Sequence, residues 1–295
     1  MRIVCSNLSY VYNNKTEFAK KAVDDVSLTV EEGDFLGIIG HTGSGKSTFI
    51  QHLNGLIPVQ SGSLTVGEYN LSGNKKEVKK ILKQLRSKVG MVFQYPEYQL
   101  FAETVFEDVA FGVKNFLGND CDVERLVKEA IETVELDYES IKNKSPFDLS
   151  GGQKRRVAIA GVIVTKPEII ILDEPVAGLD PLGKKELMRV LHRLHETTCK
   201  TVIIVSHDMD EVAENCNKVA VFENGKIIKT GTPQELFKNP EYLEKMRLDV
   251  PVTAYLTDKL SSCGVEIKSD FKLKSFIDEV EKEYKNRRNH STRIE

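Results

Sequence analysis

Asp34-Phe35-Leu36-Gly37-Ile38-Ile39, followed at once by Gly40-His41-Thr42-Gly43-Ser44-Gly45-Lys46-Ser47-Thr48, is the stretch from which the fold is read. The first six residues are a near-continuous apolar run, as expected of a central strand in a parallel sheet covered on both faces. The residues that follow fit the spacing GxxxxGK(S/T) between a strand and a helical segment. Glycines there let backbone N–H groups turn inward around phosphate oxygens, and the next helix adds partial positive charge from its N-terminus. Lys46 is expected to reach the β- and γ-phosphates of a bound nucleotide, and the Ser47 hydroxyl to ligate Mg2+. The segment 40–48 is therefore assigned to nucleotide binding: Gly40, His41, Thr42, Gly43, Ser44, Gly45, Lys46, Ser47 and Thr48. His41 and Thr42 are given no chemistry, because variable loop positions are more often backbone formers.

Two more apolar runs, 169–172 (IIIL) and 201–205 (TVIIV), read as further buried strands. Helical stripes lie between the strands: Leu187, Leu191 and Leu194, and Leu126, Ala130 and Val134. Strands alternating with helices argue for an α/β domain. Residues 26–30 (VSLTV) alternate as a half-buried strand does. Residues 95–165 hold no convincing strand and read as a helical insertion, with Val105, Val109 and Val113 on one stripe. Asn224-Gly225 between KVAVF (218–222) and KIIK (226–229) is a hairpin signal. Thr232-Pro233-Gln234-Glu235 resembles a capping box with proline at the first helical position. From 241 the composition changes; periodicity is weak to 274, a helix is expected over 275–284, and a frayed basic end over 287–293. The division is thus 1–240 for the main unit and 241–295 for a small appendage.

The strand 169–172 runs straight into Asp173-Glu174-Pro175. A buried strand ending in two carboxylates sets them at the carboxyl edge of the sheet, where open α/β sheets bind ligands. Asp173 can hold Mg2+ through water, and Glu174 is the candidate base for an attacking water. An exposed acidic turn explains such a pair about as well when it stands alone; beside a phosphate loop the catalytic account is the better one. His207 follows the strand 201–205 in the same way, which marks it as a γ-phosphate sensor although a lone histidine is usually a surface or core residue.

Bulk properties narrow the field. The chain has 295 residues, a net charge of −3, 40% hydrophobic and 29% charged residues. Nucleic-acid binders usually carry a marked positive excess, so DNA or RNA is disfavoured as the main partner. No apolar run approaches the roughly 18 residues of a membrane span, and the N-terminus lacks a secretory pattern. Five cysteines without a CxxC pair suit reduced, mostly buried thiols of a cytosolic protein.

Leu149-Ser150-Gly151-Gly152-Gln153, lying between the phosphate loop and the acidic strand, closely resembles the signature of the ABC ATPase family. The resemblance covers about 1–240 with every element in order. It implies a P-loop NTPase fold: a central, mainly parallel sheet, an N-terminal antiparallel β subdomain and the inserted helical subdomain. It implies that Tyr12 stacks on adenine, that Gln94 is the Q-loop glutamine serving catalysis and Mg2+, that Asp180 in Ala177-Gly178-Leu179-Asp180 belongs to the D-loop, and that His207 is the switch histidine. No catalytic position departs from the pattern. Physically, Ser150, Gly151, Gly152 and Gln153 open a helical segment and offer a hydroxyl, free N–H groups and a helix N-terminus to an anion. The family role is to cap ATP held by the other subunit, so two composite sites form at a dimer interface. The implied cofactors are ATP and Mg2+.

Gln94-Tyr95-Pro96-Glu97-Tyr98-Gln99-Leu100-Phe101 looks like the FQxPxxQLF pattern of ATPases in energy-coupling factor, or cobalt-type, importers. The tyrosine-proline-glutamate form, with GHTGSGKST, is similar to the second of two paralogous ATPases, and Leu248-Asp249-Val250-Pro251 resembles that family's C-terminal region. The resemblance implies a paralogous ATPase partner (a heterodimer, with a homodimer open), a transmembrane coupling subunit and substrate-binding membrane subunits. It places the chain peripherally on the cytoplasmic face, with vitamins, related micronutrients or metal ions as cargo, and gives 241–295 a role in dimer contact. Tyr95, Tyr98, Leu100 and Phe101 are large apolar groups at a loop-to-helix junction; packing a local core is the commoner use of such a cluster, and a docking groove the other. The lysines of 75–88 read as a solvated helix face. An exporter ATPase and a non-transport ABC ATPase are the rivals. A single ATPase domain without a long coiled coil argues against the second, and FQYPEYQLF against the first. A binding module without hydrolysis would be expected to lack Glu174 or His207.

Overall fold

The structure is a computed structural model and describes residues 1–118, 120–246 and 248–291. The chain opens with β1 (Ile3–Tyr12), β2 (Lys20–Val30) and β3 (Phe35–Ile39), then α1 (Lys46–Leu53), which begins at the phosphate-loop lysine. A short hairpin, β4 (Ser61–Val66) and β5 (Tyr69–Asn70), leads to α2 (Lys75–Lys88) and β6 (Val89–Val92). Four helices follow, α3 (Val105–Phe116), α4 (Val123–Thr133), α5 (Tyr138–Ile141) and α6 (Gly151–Ile163). Next come β7 (Ile169–Asp173), α7 (Pro181–Thr197), β8 (Thr201–Val205), α8 (Met209–Asn215), and the hairpin β9 (Lys218–Glu223) and β10 (Lys226–Gly231). The chain ends in α9 (Pro233–Phe237), α10 (Pro240–Lys245), α11 (Val252–Ser262) and α12 (Leu273–Ser291).

The larger sheet has the order β10-β9-β3-β8-β7-β6 and the smaller β2-β1-β4-β5. In the larger one every pairing is parallel except β9 with β10; the smaller is antiparallel throughout. The α/β architecture expected from the sequence is the one observed. Its apolar strands show why they lie at the centre. Ile170 and Leu172 of β7, with Val202 and Ile204 of β8, face a core shared with the helical insertion. Ile169, Ile171, Ile203 and Val205 face the opposite core, shared with the small sheet. A strand whose alternate residues enter two different cores has no polar face to show.

The helical insertion is organised as its stripes imply. Val105, Val109 and Val113 of α3 and Val127 and Ile131 of α4 are fully buried. The Asn224-Gly225 turn has φ of 48° and 81°, the left-handed pair that a tight two-residue hairpin demands. Thr232 caps α9 with both bonds of the expected capping box in place. The C-terminal region departs from expectation. Weak periodicity over 241–274 conceals α10 and α11, because these short helices anchor through few residues. Leu243, Leu248, Ala254 and Phe271 enter the main core, and the buried Thr253 hydroxyl donates to the Phe271 carbonyl at 2.6 Å. The segment expected to fray is helical to Ser291; residues 292 and 293 lie outside the described residues. Lys75 to Lys88 forms α2, with only Leu85 fully inside.

Candidate active site

Four adjacent parallel strands end side by side, and each carries its sequence-marked residue at its carboxyl end. β3 leads into Gly40, β8 into Ser206-His207, β7 into Asp173-Glu174 and β6 into Gln94. Register fixes the row: Ile38 lies opposite Val205, Val205 opposite Asp173, and Leu172 opposite Val92. Residues spread over more than 160 positions thereby meet along one sheet edge.

The phosphate loop takes its shape from glycine at two positions. Gly45 has φ of 107°, and a Cβ there would lie 2.2 Å from the Ala22 carbonyl oxygen. A Cβ on Gly40 would lie 2.3 Å from the Phe222 carbonyl oxygen. The Asn224-Gly225 turn braces the loop from outside, the Gly225 N–H donating to the Ser44 carbonyl at 2.8 Å. Lys46 is buried, and its ammonium donates to the Gly40 and His41 carbonyls at 2.6 and 2.9 Å. Burial holds its pKa below the usual lysine range, and the carboxylates of Glu174 and Asp173 offset part of that. The Ser44 hydroxyl is buried without a hydrogen-bond partner, so the loop keeps an unsatisfied polar group at its centre. Tyr12, at the end of β1, approaches the Thr48 hydroxyl at 3.3 Å and packs edge-on against Tyr10.

Burial pushes the Asp173 carboxyl above the usual range, a hydrogen bond from Ser47 opposes it, and Glu174's charge adds to it. An acid in this setting is suited to receive a cation. Glu174 has φ of 48°, an uncommon conformation for a non-glycine residue, which costs on the order of 1–3 kcal/mol. It is held by its own N–H on the Val205 carbonyl at 2.9 Å. The Gln94 amide donates to Glu174 Oε2 at 2.7 Å, and His207 Nδ1 lies 3.5 Å from Glu174 Oε1. Gln94, Glu174 and His207 thus form one cluster, in which Gln94 contacts the carboxylate expected to act as base.

Ser150 caps α6, accepting from the Gln153 N–H at 3.3 Å, while the Gln153 side chain accepts from the Ser150 N–H at 3.1 Å. Ser150, Gly151 and Gly152 are exposed, and among the described residues no hydrogen bond joins them to the phosphate loop. Asp180 caps α7, its carboxylate accepting from the Gly183 N–H at 2.7 Å. Both are surface-facing helix starts. Tyr95, Tyr98 and Phe101 are 50%, 84% and 60% exposed and only Leu100 is buried, so the commoner use of such a cluster, a local core, holds for one member of four. Leu100 and Phe101, with Phe111 and Arg86, line a cleft of about 260 Å³ between the sheet and the insertion; Tyr95 and Tyr98 lie outside it and pack against each other.

Arg155 carries no mark in the sequence. It is buried and donates to the carbonyls of Pro175 and Ala177, both at 2.9 Å, clamping the segment behind Glu174 to the helix that Ser150 caps. Glu97 lies 3.6 Å from the same guanidinium. A buried arginine one turn into a helix has no signature in periodicity, so only the adjacent signature run could have pointed to it.

Comparison with known proteins places this geometry. The ABC transporter family model matches residues 23–177, more than half of the chain. The energy-coupling factor transporter ATP-binding protein EcfA2 of Clostridium tetani (strain Massachusetts / E88) is 48% identical over 267 residues, covering 90% of this chain and 91% of that protein. EcfA2 of Symbiobacterium thermophilum is 49% identical over 270 residues, 92% of each. Among solved structures, cbiO1 from Clostridium perfringens, described as part of the ABC transporter complex cbiONQ, has a TM-score of 0.71 and 35% identity over 87% of this chain and 98% of that one. The ATP-binding cassette MJ0796, a dimer in a post-hydrolysis state bound to ADP and Pi, has a TM-score of 0.69 and 28% identity over 78% of this chain and 98% of that one.

Proposed function

This chain belongs to the ABC transporter family, within its energy-coupling factor ATP-binding proteins, and from that premise we propose that it is the ATP-hydrolysing subunit of an energy-coupling factor importer. The observation that carries the reading is the sheet edge on which Lys46, the Ser47–Asp173 pair and the Glu174 cluster converge. Lys46 and the loop N–H groups hold the phosphates, with Ser44 available as a further donor, and Tyr12 takes the adenine. Glu174 accepts a proton from the attacking water as its oxygen bonds to the γ-phosphorus and ADP leaves. Gln94 fixes the carboxylate, and His207 stands where the γ-phosphate must be sensed.

Mg2+ fits the residues present. Ser47 and Gln94 supply neutral oxygens, and Asp173 supplies a carboxylate whose burial disfavours its charge unless a cation is near. Such a sparse set suits an ion that also keeps waters and phosphate oxygens. Bound there, Mg2+ supplies neutralisation of phosphate charge.

The exposed Ser150, Gly151, Gly152 and Asp180, with the half-buried Gln153, serve a nucleotide on the opposing subunit, a paralogous ATPase. A transmembrane coupling subunit docks at the cleft lined by Phe101 and Phe111 and at the exposed Tyr95 and Tyr98, and exchangeable membrane proteins bind the cargo, a vitamin, a related micronutrient or a metal ion. The chain then sits on the cytoplasmic face, with 1–240 as the ATPase unit and 241–295 as an added dimer contact. Among the described residues no helix is long and apolar enough to cross a membrane, which suits a subunit that reaches the bilayer through partners.

The test is Glu174→Gln in the complex purified from membranes. ATP binding is expected to persist while turnover falls roughly 10²- to 10⁴-fold, the usual weight of general-base assistance. Turnover like wild type would remove Glu174 from the mechanism.

A further inference from the structure

The turn that presents His207 is closed by a ring of three hydrogen bonds, two of which are made by one buried acid, Glu211. The Asp208 N–H donates to the Ser206 hydroxyl at 3.1 Å, that hydroxyl donates to Glu211 Oε2 at 2.8 Å, and the Glu211 N–H donates to Asp208 Oδ1 at 3.1 Å. His207 is the one side chain of 206–208 left outside this ring, and it is the one that faces Glu174. A carboxylate on a solvated helix face would have no such geometry. Glu211 is instead 9% exposed, its Oε1 has no hydrogen-bond partner, and burial raises its pKa to about 7, against the opposing hydrogen bond from Ser206.

The groups around it explain why the acid survives there. Asp208 repels it and Lys184 attracts it, while Lys184 itself donates to Asp208 Oδ2 at 2.8 Å. Lys184 is one turn along α7 from Asp180, so the Lys184–Asp208 ion pair ties the His207 turn to the helix that Asp180 caps. On the remaining side lies the buried Cys216 thiol, which Glu211's charge helps to hold un-ionised after burial itself. A buried polar group of this kind is costly unless it fixes something.

We propose that Glu211 is a positioning residue for hydrolysis, acting through Ser206 to hold the 206–208 turn so that His207 faces Glu174 and the γ-phosphate. This rests on the role given to His207 above. The ring explains a choice that packing alone does not: an apolar residue would fill the site between β8 and α8 at less cost, but would leave the Ser206 hydroxyl free to rotate and the turn free to open.

The experiment measures ATP affinity and turnover in the membrane-purified complex for Glu211→Ala, Glu211→Gln, Ser206→Ala, His207→Ala and the Glu211→Ala/His207→Ala pair. Glu211→Ala and Ser206→Ala are expected to lower turnover roughly 10- to 100-fold, the scale of a small misplacement of a reacting group, with ATP affinity kept. Glu211→Gln, whose amide oxygen still accepts from Ser206, is expected to recover most of the turnover. The paired variant is expected to be no slower than His207→Ala alone, since a residue acting through another adds nothing once that other is gone. Ser206→Ala removes only a hydroxyl and keeps the test open if Glu211→Ala does not fold. A slowed His207→Ala beside a wild-type-like Ser206→Ala, or losses that multiply in the pair, would overturn this role for Glu211 alone. A His207→Ala variant that turns over like wild type would overturn the role of His207 as well.

Discussion

Lys46 and Glu211 show how burial converts a side chain into a statement about conditions. Lys46 is buried among carbonyls with its pKa held down, an arrangement whose natural complement is a polyanion. Lys46→Ala is expected to abolish nucleotide-dependent closure, measured by ATP titration with a fluorescent analogue; retained micromolar or tighter affinity would contradict it. Glu211 makes a prediction about pH. Its folded pKa of about 7 lies above the unfolded value of 4.5, so its contribution is fully favourable below about 4.5 and is lost as pH rises through about 7. Urea unfolding of wild type and Glu211→Gln should therefore diverge progressively across that window, by on the order of a few kcal/mol, and hold a constant difference above it. Parallel curves from pH 5 to 8 would show that Glu211 is not buried as described. Most residues that meet along the sheet edge could be marked beforehand, because a phosphate loop and an acidic strand end are contiguous in the sequence. Glu211 and Arg155 could not, since their partners are carbonyls and a hydroxyl brought near only by folding.

Helices and strands differ in how openly they declare themselves. β3, β7 and β8 stand out because both faces are buried, and α3 and α4 because their stripes are regular. β6 (Val89–Val92) is only four residues long, follows α2 directly and shows no pattern of its own, although it delivers Gln94. α10 and α11 were hidden for the same reason: short elements pay their cost through a few anchors such as Leu243 and Ala254. α6 packs on α3 and α4 of the helical insertion and on β6 of the larger sheet. Arg155 near its start satisfies two carbonyls behind Glu174, and Arg156 pairs with Glu186 of α7. Arg155→Met keeps the length and removes the donors, leaving two acceptors unpaired at about 1–3 kcal/mol each. It is expected to lower the Tm and, by freeing the 175–177 segment, the turnover. A Tm equal to wild type would show that the two carbonyls find other partners.

As a whole, the molecule presents its phosphate loop and its Ser150-capped helix as separate features, each finished locally and neither bonded to the other among the described residues. The proposed function accounts for the separation, since on that proposal each feature completes a site on a different subunit. On the same proposal the helix N-terminus at Ser150 would be an anion receptor aimed at a partner's γ-phosphate, with ATP favouring the closed pair and hydrolysis withdrawing that preference. In the sequence this proposal rests only on LSGGQ, since no pattern within one chain records what lies across an interface. Exposed Tyr95, Tyr98 and Phe101 belong here too, as they make sense against a partner rather than within the fold. The composite site is tested most directly by ATP turnover per chain across a dilution series, with the sedimenting mass followed at each concentration. Turnover is expected to fall as the two-ATPase assembly dissociates, and to return when the paralogous partner is added back. Undiminished turnover in material that sediments as a single chain would contradict the account.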